Sequence, residues 1–198
     1  ELSQYGIKVL LDFAISIGVL NKNDDKYQLS KVGYFLQNDK MSQVNFAFNQ
    51  HFCYQGLAGL TEAIKTGKPE GLKVFGQWQT VYPALTSLPE PVSKSWFDFD
   101  HFYSDHAFEE ALKVVFKNQP KILLDIGGNT GRWSLKCLNY DKDVNVVIMD
   151  LSQQLSVASE NISQAGFSDR FTPYPCNMLD VNQSLYQGAD VIWMSQFL

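Results

Sequence analysis

The chain has 198 residues, of which 45% are hydrophobic, and its formal net charge is −5. The acidic balance argues against a general nucleic-acid binder, because neutralising phosphates requires a surplus of lysine and arginine. No apolar run approaches the roughly 20 residues that a membrane-spanning helix needs, and the N-terminus has no signal-peptide pattern. The three cysteines lie far apart without CxxC spacing, so we predict no disulfide framework, no metal site and a cytoplasmic location.

The first 40 residues predict a helix, a hairpin and a second helix. Apolar residues recur at helical spacing from Ile7 to Ile17, which favours an amphipathic helix that ends near Gly18. A polar turn leads to a short strand at Tyr27–Leu29, and the Ser30 hydroxyl can cap a second helix at Lys31–Leu36. This order is typical of half a winged helix, and residues 1–75 are predicted to be a winged-helix-like domain.

The charge of this segment bears on its role. Residues 1–70 contain seven lysines, no arginine and seven acidic residues. A winged helix that reads DNA would carry a basic face. We therefore predict that the segment mediates homodimerisation, with DNA contact as the alternative.

Residues 76–117 are predicted to form a helical connection between two domains. It comes after a phenylalanine-rich helix at 45–65, which is broken at Gly67–Pro69, and prolines punctuate the stretch beyond it. An aromatic-rich helix is predicted from about Asp98 to Lys117, and Pro120 separates this helix from the C-terminal part of the chain.

From Lys121 onward, apolar strands alternate with helices. The predicted strands are 122–124, 144–149, 171–175 and 189–194, and the predicted helices are 130–138 and 152–165. Strands that are apolar throughout indicate a parallel sheet covered on both faces, which is the doubly wound α/β class. Residues 118–198 are thus predicted to be a Rossmann-like domain. Because strand-like residues reach position 198 and helical periodicity begins near residue 1, we expect further sequence on both sides, with the domain truncated at its C-terminus.

The first strand of this domain runs into Asp125-Ile126-Gly127-Gly128-Asn129-Thr130-Gly131. Glycines let the backbone turn and approach a ligand, and the amides that open the next helix favour an anionic group. The dinucleotide pattern G-x-G-x-x-G fails, since Asn129 and Arg132 stand where it needs glycine, so a nicotinamide oxidoreductase is disfavoured. Asp150 closes the next strand, where an acid can bind ribose hydroxyls. The pattern therefore favours an adenosine with an amino-acid tail.

The segments "LLDIGGNTG", "VVIMDL" and "ADVIWMSQFL" resemble the class I S-adenosylmethionine-dependent O-methyltransferases. Within this family, they most resemble the subgroup that has an N-terminal winged-helix dimerisation domain, which includes plant caffeate-type and bacterial polyketide enzymes. The resemblance implies S-adenosylmethionine as cofactor, a small aromatic or polyketide-like methyl acceptor, and a homodimer. A winged-helix regulator that senses S-adenosylmethionine without catalysis is the alternative.

The resemblance also implies which residues contact the cofactor. Gly127 would lie against the methionine part, with Asp125 shaping the loop, and Asp150 would hold the ribose hydroxyls. Gly128 is also implied to contact the cofactor. Asn129 replaces the usual third glycine, and asparagine tolerates a left-handed backbone. Leu151, Asn177 and Met178 are implied to lie near the adenine. Ser195 stands at a position where many members have a lysine that contacts the cofactor.

Residues 99–106 resemble the family's "FNxxMSDHS" helix, which lines the acceptor pocket. The resemblance implies that Phe99, Tyr103 and His106 contact the substrate, whereas we expect His101 to face elsewhere. In the family a histidine removes the acceptor proton, and its position falls beyond Leu198. No catalytic residue is therefore predicted within this chain.

Overall fold

A computed structural model describes residues 2–85 and 87–197. The chain divides into two compact units. The first unit comprises Glu1–Val74 and Pro89–Phe99, and the second comprises Phe75–Leu88 and Asp100–Leu198. The segment 76–117, predicted as a connection, is thus shared between the units.

The first unit is mostly helical. Its elements in chain order are α1 (Gln4–Ser16), β1 (Leu20–Asn23), β2 (Lys26–Leu29), α2 (Lys31–Asn38), α3 (Lys40–Phe48), a π-helix (Asn49–Cys53), α4 (Tyr54–Gly56), a 3₁₀ turn (Leu57–Gly59), α5 (Leu60–Thr66) and a 3₁₀ helix (Glu70–Val74). The first residues of α6 (Glu90–Asp105) also belong to it.

Local capping explains where these helices begin. The Ser3 hydroxyl accepts a hydrogen bond from the Gly6 amide at 3.0 Å, and the Ser30 hydroxyl accepts one from the Gly33 amide at 3.0 Å. Both bonds satisfy first-turn amides that have no partner within the helix. The predicted cap at Ser30 is confirmed, and β1 pairs antiparallel with β2 as a hairpin between α1 and α2. The helix, hairpin and helix order is as predicted; a winged-helix identity stays a prediction.

The predicted helix at 45–65 is interrupted. The turn at Asn49–Cys53 is a π-helix, and a 3₁₀ turn comes next at Leu57–Gly59. A Cβ on Gly59 would lie 2.7 Å from the Gly71 backbone nitrogen, and one on Gly71 would lie 2.5 Å from the Gly56 carbonyl oxygen. Glycine is therefore required where the chain at 56–59 packs against residue 71.

The single helix predicted from Asp98 to Lys117 is wrong. The structure has α6, which begins at Glu90, and a separate α7 (Phe108–Val115). The break falls at His106–Ala107, where the Ala107 amide bonds the Ser104 carbonyl oxygen at 3.1 Å in place of an α-helical partner. Apolar residues on both sides keep a helical spacing, so the pattern alone conceals the break.

The second unit contains a parallel sheet. Its remaining elements are a 3₁₀ turn (Tyr82–Ala84), a 3₁₀ turn (Phe116–Asn118), β3 (Ile122–Ile126), α8 (Arg132–Tyr140), β4 (Asn145–Asp150), α9 (Ser152–Gln164), a 3₁₀ turn (Ser168–Arg170), β5 (Phe171–Pro175) and β6 (Val191–Trp193). The strand order is β5-β4-β3-β6, and every pairing is parallel. The predicted parallel sheet is confirmed.

The two faces of this sheet are covered differently. Alternate residues of β3 and β4 enter two core clusters, as the two-residue period of a strand requires. Leu123, Val146 and Ile148 pack with α7, α8 and α9, while Leu124 and Val147 pack on the other face with residues of 174–189. Among the described residues, helices thus cover one face of the sheet and a non-helical segment covers the other. The doubly wound arrangement predicted from the sequence would have helices on both faces.

The order of the strands positions a binding crevice. From β3 the chain runs outward to β4 and β5, then returns to place β6 on the other side of β3. In open α/β sheets, ligands bind beyond the carboxyl ends of the strands where the order reverses in this way. No helix among the described residues is long and apolar enough to cross a membrane.

Candidate functional site

The glycine loop after β3 has an unusual backbone. Gly127, Asn129 and Gly131 have φ angles of 68°, 51° and 79°, all in the left-handed region. The Gly127 amide donates to the Met149 carbonyl oxygen at 2.9 Å, which fixes the loop against the end of β4. Asn129, which replaces the family's usual third glycine, thus adopts a left-handed backbone that asparagine tolerates.

Two of the glycines make close contacts. A Cβ on Gly127 would lie 2.3 Å from the Phe197 ring, and a Cβ on Gly128 would lie 2.8 Å from Asp125 Oδ2. Any larger residue would displace one of these neighbours. Glycine is therefore required at both positions for the loop to pack against these neighbours.

Asp125 supports the loop from within the core. Its side chain is 2% exposed, and its Oδ2 accepts a hydrogen bond from the Ser134 hydroxyl at 2.6 Å. Burial raises the pKa of the Asp125 carboxyl to about 7, and the nearby charge of Asp150 acts in the same direction. Asp125 thus connects β3 to α8 behind the loop, which agrees with a loop-shaping role rather than an exposed ligand contact.

Asp150 is the last residue of β4, and it is tied to the glycine loop. Its Oδ2 accepts from the Asn129 amide at 2.8 Å, and its Oδ1 accepts from the Leu151 amide at 2.7 Å. Burial raises the pKa of Asp150, while these two amide bonds lower it. Each oxygen keeps further acceptor capacity, so the carboxylate can bind a pair of hydroxyl groups.

The other residues predicted to contact the cofactor lie at the same edge of the sheet. Leu151 and Ser195 are half-buried just beyond β4 and β6, and Met178 packs against the core cluster of Leu124 and Val147. The Asn177 side-chain oxygen accepts from the Leu179 amide at 3.1 Å. This local bond uses part of the hydrogen-bond accepting capacity of the oxygen, which was predicted to accept from the adenine amino group.

The C-terminal half of α6 contacts the glycine loop, which the sequence did not reveal. Asn129 Nδ2 donates to Asp100 Oδ2 at 3.4 Å, and Thr130 Oγ1 lies 3.4 Å from His101 Nε2. Asp105 forms an ion pair with the guanidinium of Arg132, the first residue of α8. His101, expected to face elsewhere, faces the loop.

Known methyltransferases resemble this chain in sequence and in fold. No protein-family model matches the chain. An L-tyrosine C(3)-methyltransferase from Streptomyces lavendulae is 26% identical over 174 residues, which cover 86% of this chain and 47% of that protein. An O-methyltransferase from neocarzinostatin biosynthesis, solved with S-adenosyl-L-homocysteine and 1,4-dihydroxy-2-naphthoic acid, is 21% identical with a TM-score of 0.67. That match covers 97% of this chain and 58% of the solved one.

A further solved structure is similar over nearly the whole chain. Mitomycin 7-O-methyltransferase has a TM-score of 0.63 at 19% identity, covering 96% of this chain and 56% of that one. The chain has the fold of these methyltransferases. It spans about half the length of the relatives it matches.

Within this methyltransferase fold, the residues predicted to contact a substrate are divided between the units. Phe99 belongs to the first unit and stacks on Phe48, with ring centroids 4.4 Å apart. Tyr103 is 42% exposed on the second-unit part of α6, and its ring packs edge-on against Phe102. His106 lies just past the helix, with Nδ1 against the Phe102 carbonyl oxygen. Their roles stay predictions.

The first unit contains an aromatic cluster that includes Phe99. Phe48 stacks on Phe52 at 5.5 Å, and Trp96 meets the Phe52 ring edge-on at 4.8 Å. Phe52 belongs to the π-helix, a feature that is frequent at functional sites. Beside it lies a hollow of about 320 Å³ lined by Phe46, Asn49, Gln50, Tyr54 and Leu57. In the described part of the chain, no group of three or more His, Cys, Asp or Glu residues is placed to hold a metal ion.

Proposed function

We propose that this chain is part of an S-adenosylmethionine-dependent methyltransferase that acts on a small aromatic molecule. The observation that carries the proposal is the bond between the Asn129 amide and Asp150 Oδ2, at 2.8 Å. This bond joins the left-handed glycine loop, which follows β3 where the strand order reverses, to the carboxylate at the end of the neighbouring strand β4. A ligand with both a diol and an amino-acid tail matches such an edge.

The residues at this edge fit the cofactor. Asp150 would bind the ribose hydroxyls, the backbone at Gly127 and Gly128 would lie against the amino-acid part, and Leu151 and Met178 would pack on the adenine. Asn177 and Ser195 would contribute polar contacts, and buried Asp125 would hold the loop in shape. The bound cofactor supplies a methyl group on a positively charged sulfur. The protein's task is then to hold the acceptor atom in line with that methyl group and to accept the acceptor's proton.

The acceptor is proposed to be aromatic because aromatic side chains recur around the predicted substrate residues. Phe99 lies in the cluster with Phe48, Phe52 and Trp96, and stacked or edge-on rings stabilise a flat ligand. Phe99 and Tyr103 are four residues apart on α6, about one helical turn, and His106 follows the end of this helix. They are the residues we assign to the acceptor.

The methylated atom is proposed to be an oxygen, as in the mitomycin and neocarzinostatin relatives. A ring carbon beside a hydroxyl is a second candidate, because the relative from Streptomyces lavendulae is a tyrosine C(3)-methyltransferase. Both reactions start by removing a phenolic proton, which makes the oxygen and its neighbouring ring carbon nucleophilic. Turnover of phenolic acceptors with cofactor labelled at the methyl carbon separates them, since the chemical shifts of O-methyl and C-methyl carbons differ.

Homodimerisation through the first unit is part of the proposal. None of the residues of α1 is buried; Leu10 and Phe13 on this helix and Ile17 just past its end are each more than half exposed. Exposed apolar residues arranged in this way are typical of a protein–protein interface. Light scattering of the full-length protein after size exclusion should give a dimer mass, and Phe13→Glu should lower it. A monomeric wild type would contradict the dimer.

Calorimetry on the full-length protein tests the cofactor assignment. The wild type should bind S-adenosylmethionine and S-adenosylhomocysteine, and Asp150→Ala should weaken both by about 100-fold, because two hydrogen bonds to a carboxylate are lost at about 1.5 kcal/mol each. The exposed Asp169 provides the matched control, and Asp169→Ala should bind normally. A wild type that binds neither ligand refutes the proposal. Binding without methyl transfer to any acceptor would instead favour a sensing role.

A further inference from the structure

Asn129 has a side-chain oxygen without a hydrogen-bond partner. Its Nδ2 donates to Asp100, but its Oδ1 is buried and unpaired. Among the described residues, only Trp133 Nε1 and Gln154 Oε1 share this property. Leaving a buried carbonyl oxygen unsatisfied costs about 1–3 kcal/mol, so such an atom in a binding loop indicates a donor on the ligand.

The backbone does not require asparagine at this position. Asn129 has a φ of 51°, and its amide is bound to Asp150. Glycine adopts the same left-handed conformation more easily. The carboxamide therefore needs an explanation of its own, beyond the shape of the loop.

Asp100 gives the chemistry of the missing donor. Its carboxylate accepts from Asn129 Nδ2; burial raises the pKa of Asp100, while the neighbouring His101, this hydrogen bond and Arg132 lower it. The nearest guanidinium on α8, that of Arg132, is engaged by Asp105 through two hydrogen bonds. Asn129 Nδ2 contacts Asp100, and the unpaired Oδ1 belongs to the same carboxamide, so this pair of side chains offers several acceptors, and the carboxylate favours a positive charge. An ammonium group provides both the donors and the positive charge.

We propose that Asn129 Oδ1 and the Asp100 carboxylate together bind the α-ammonium group of the cofactor's amino-acid end. This inference rests on the proposed function. The other donors of the cofactor are less suited, because the ribose hydroxyls are assigned to Asp150 and the adenine amino group is uncharged. Asp100 reaches the loop from α6, so the pair also links the helix assigned to the acceptor with the loop assigned to the cofactor.

The test compares S-adenosylhomocysteine with its analogue that lacks the amino group, by calorimetry on the full-length protein. Asn129→Gly and Asp100→Asn should each weaken binding of S-adenosylhomocysteine about 10-fold, the effect of losing one charged hydrogen bond. Neither variant should change binding of the deaminated analogue by more than about 2-fold. Asn118→Gly, at an exposed position of the same unit, is the matched control and should bind both ligands as the wild type does.

The outcomes separate this inference from the proposed function. A wild type that does not bind S-adenosylhomocysteine refutes the function itself. If the wild type binds and Asp150→Ala weakens both ligands, but Asn129→Gly and Asp100→Asn weaken neither or both ligands equally, then the ammonium assignment is wrong. Thermal unfolding verifies that each variant is folded. If Asn129→Gly does not fold, the ammonium assignment is tested with Asp100→Asn alone, by the same comparison of S-adenosylhomocysteine with the deaminated analogue.

Discussion

The buried carboxyl of Asp125 should make the stability of the protein fall as the pH rises. Its pKa in the folded state is about 7, whereas an aspartate in an unfolded chain has a pKa of about 3.9. The folded protein therefore retains a proton that the unfolded chain releases, so stability decreases from about pH 4 to about pH 7 and is level above that. Roughly three pKa units at 1.36 kcal/mol each correspond to about 4 kcal/mol in total, of which about 2 kcal/mol falls between about pH 5.5 and about pH 8.

Asp125→Asn should remove this dependence, because the amide keeps the shape of the side chain and does not titrate. Urea unfolding of the full-length wild type and variant, without added cofactor, measures the free energy of unfolding at each pH. The difference between the proteins should change by about 2 kcal/mol over that range, with the wild type losing more stability toward high pH. Parallel curves would refute the reasoning.

Asp190→Asn is a control for which the pH dependence of stability should have the opposite sign. The exposed Asp190 carboxylate accepts from the Lys121 and Ile122 amides at 2.7 and 2.9 Å, and these bonds lower its pKa. The carboxylate of Asp190 stabilises the fold at pH values above its pKa in the unfolded chain. This stabilisation is lost as the pH falls through its lower pKa in the folded protein. The wild type should therefore lose stability relative to Asp190→Asn toward acid pH.

Two further substitutions test the core and the loop. Ile148→Ala should lower the free energy of unfolding by about 2–5 kcal/mol, since Ile148 is fully buried between the sheet and its helices; Ile192→Ala, at a side chain 58% exposed, should cost far less, and equal losses would contradict this account of the core. Gly127→Ala should weaken S-adenosylhomocysteine binding measured by calorimetry, because it adds a Cβ 2.3 Å from the Phe197 ring to a backbone with a φ of 68°. Gly166→Ala has the same backbone strain with open space around it, so it should cost about 1 kcal/mol of stability and leave binding unchanged.

The sequence predicted the sheet and its carboxyl edge because the signals there are local. The apolar runs of β3 and β4 are continuous, and the acid at Asp150 closes its strand directly. The capping hydroxyl of Ser30 and the left-handed Asn129 are likewise decided by a few neighbouring residues. For these features the residue types alone were sufficient.

Contacts between distant segments could not be predicted in this way. Asp100 and Asn129 are 29 residues apart, and no periodicity links them. The break after α6 depends on backbone bonding at Ser104 and Ala107 rather than on hydrophobic spacing. The uneven covering of the sheet was also missed, since the apolar strands indicate only that both faces are buried, not whether a helix or a loop covers each face.

Within the described part of the chain, β5 lies at the end of the strand order, and this position has a consequence for self-association. The Cys176 amide points to Asp150 on β4, so by alternation the amide positions of 173 and 175 face the open side of the sheet. Both of these residues are prolines and have no N–H to offer. A strand from another molecule would find carbonyl groups there but few donors, so this border resists the sheet-to-sheet stacking that leads to aggregates.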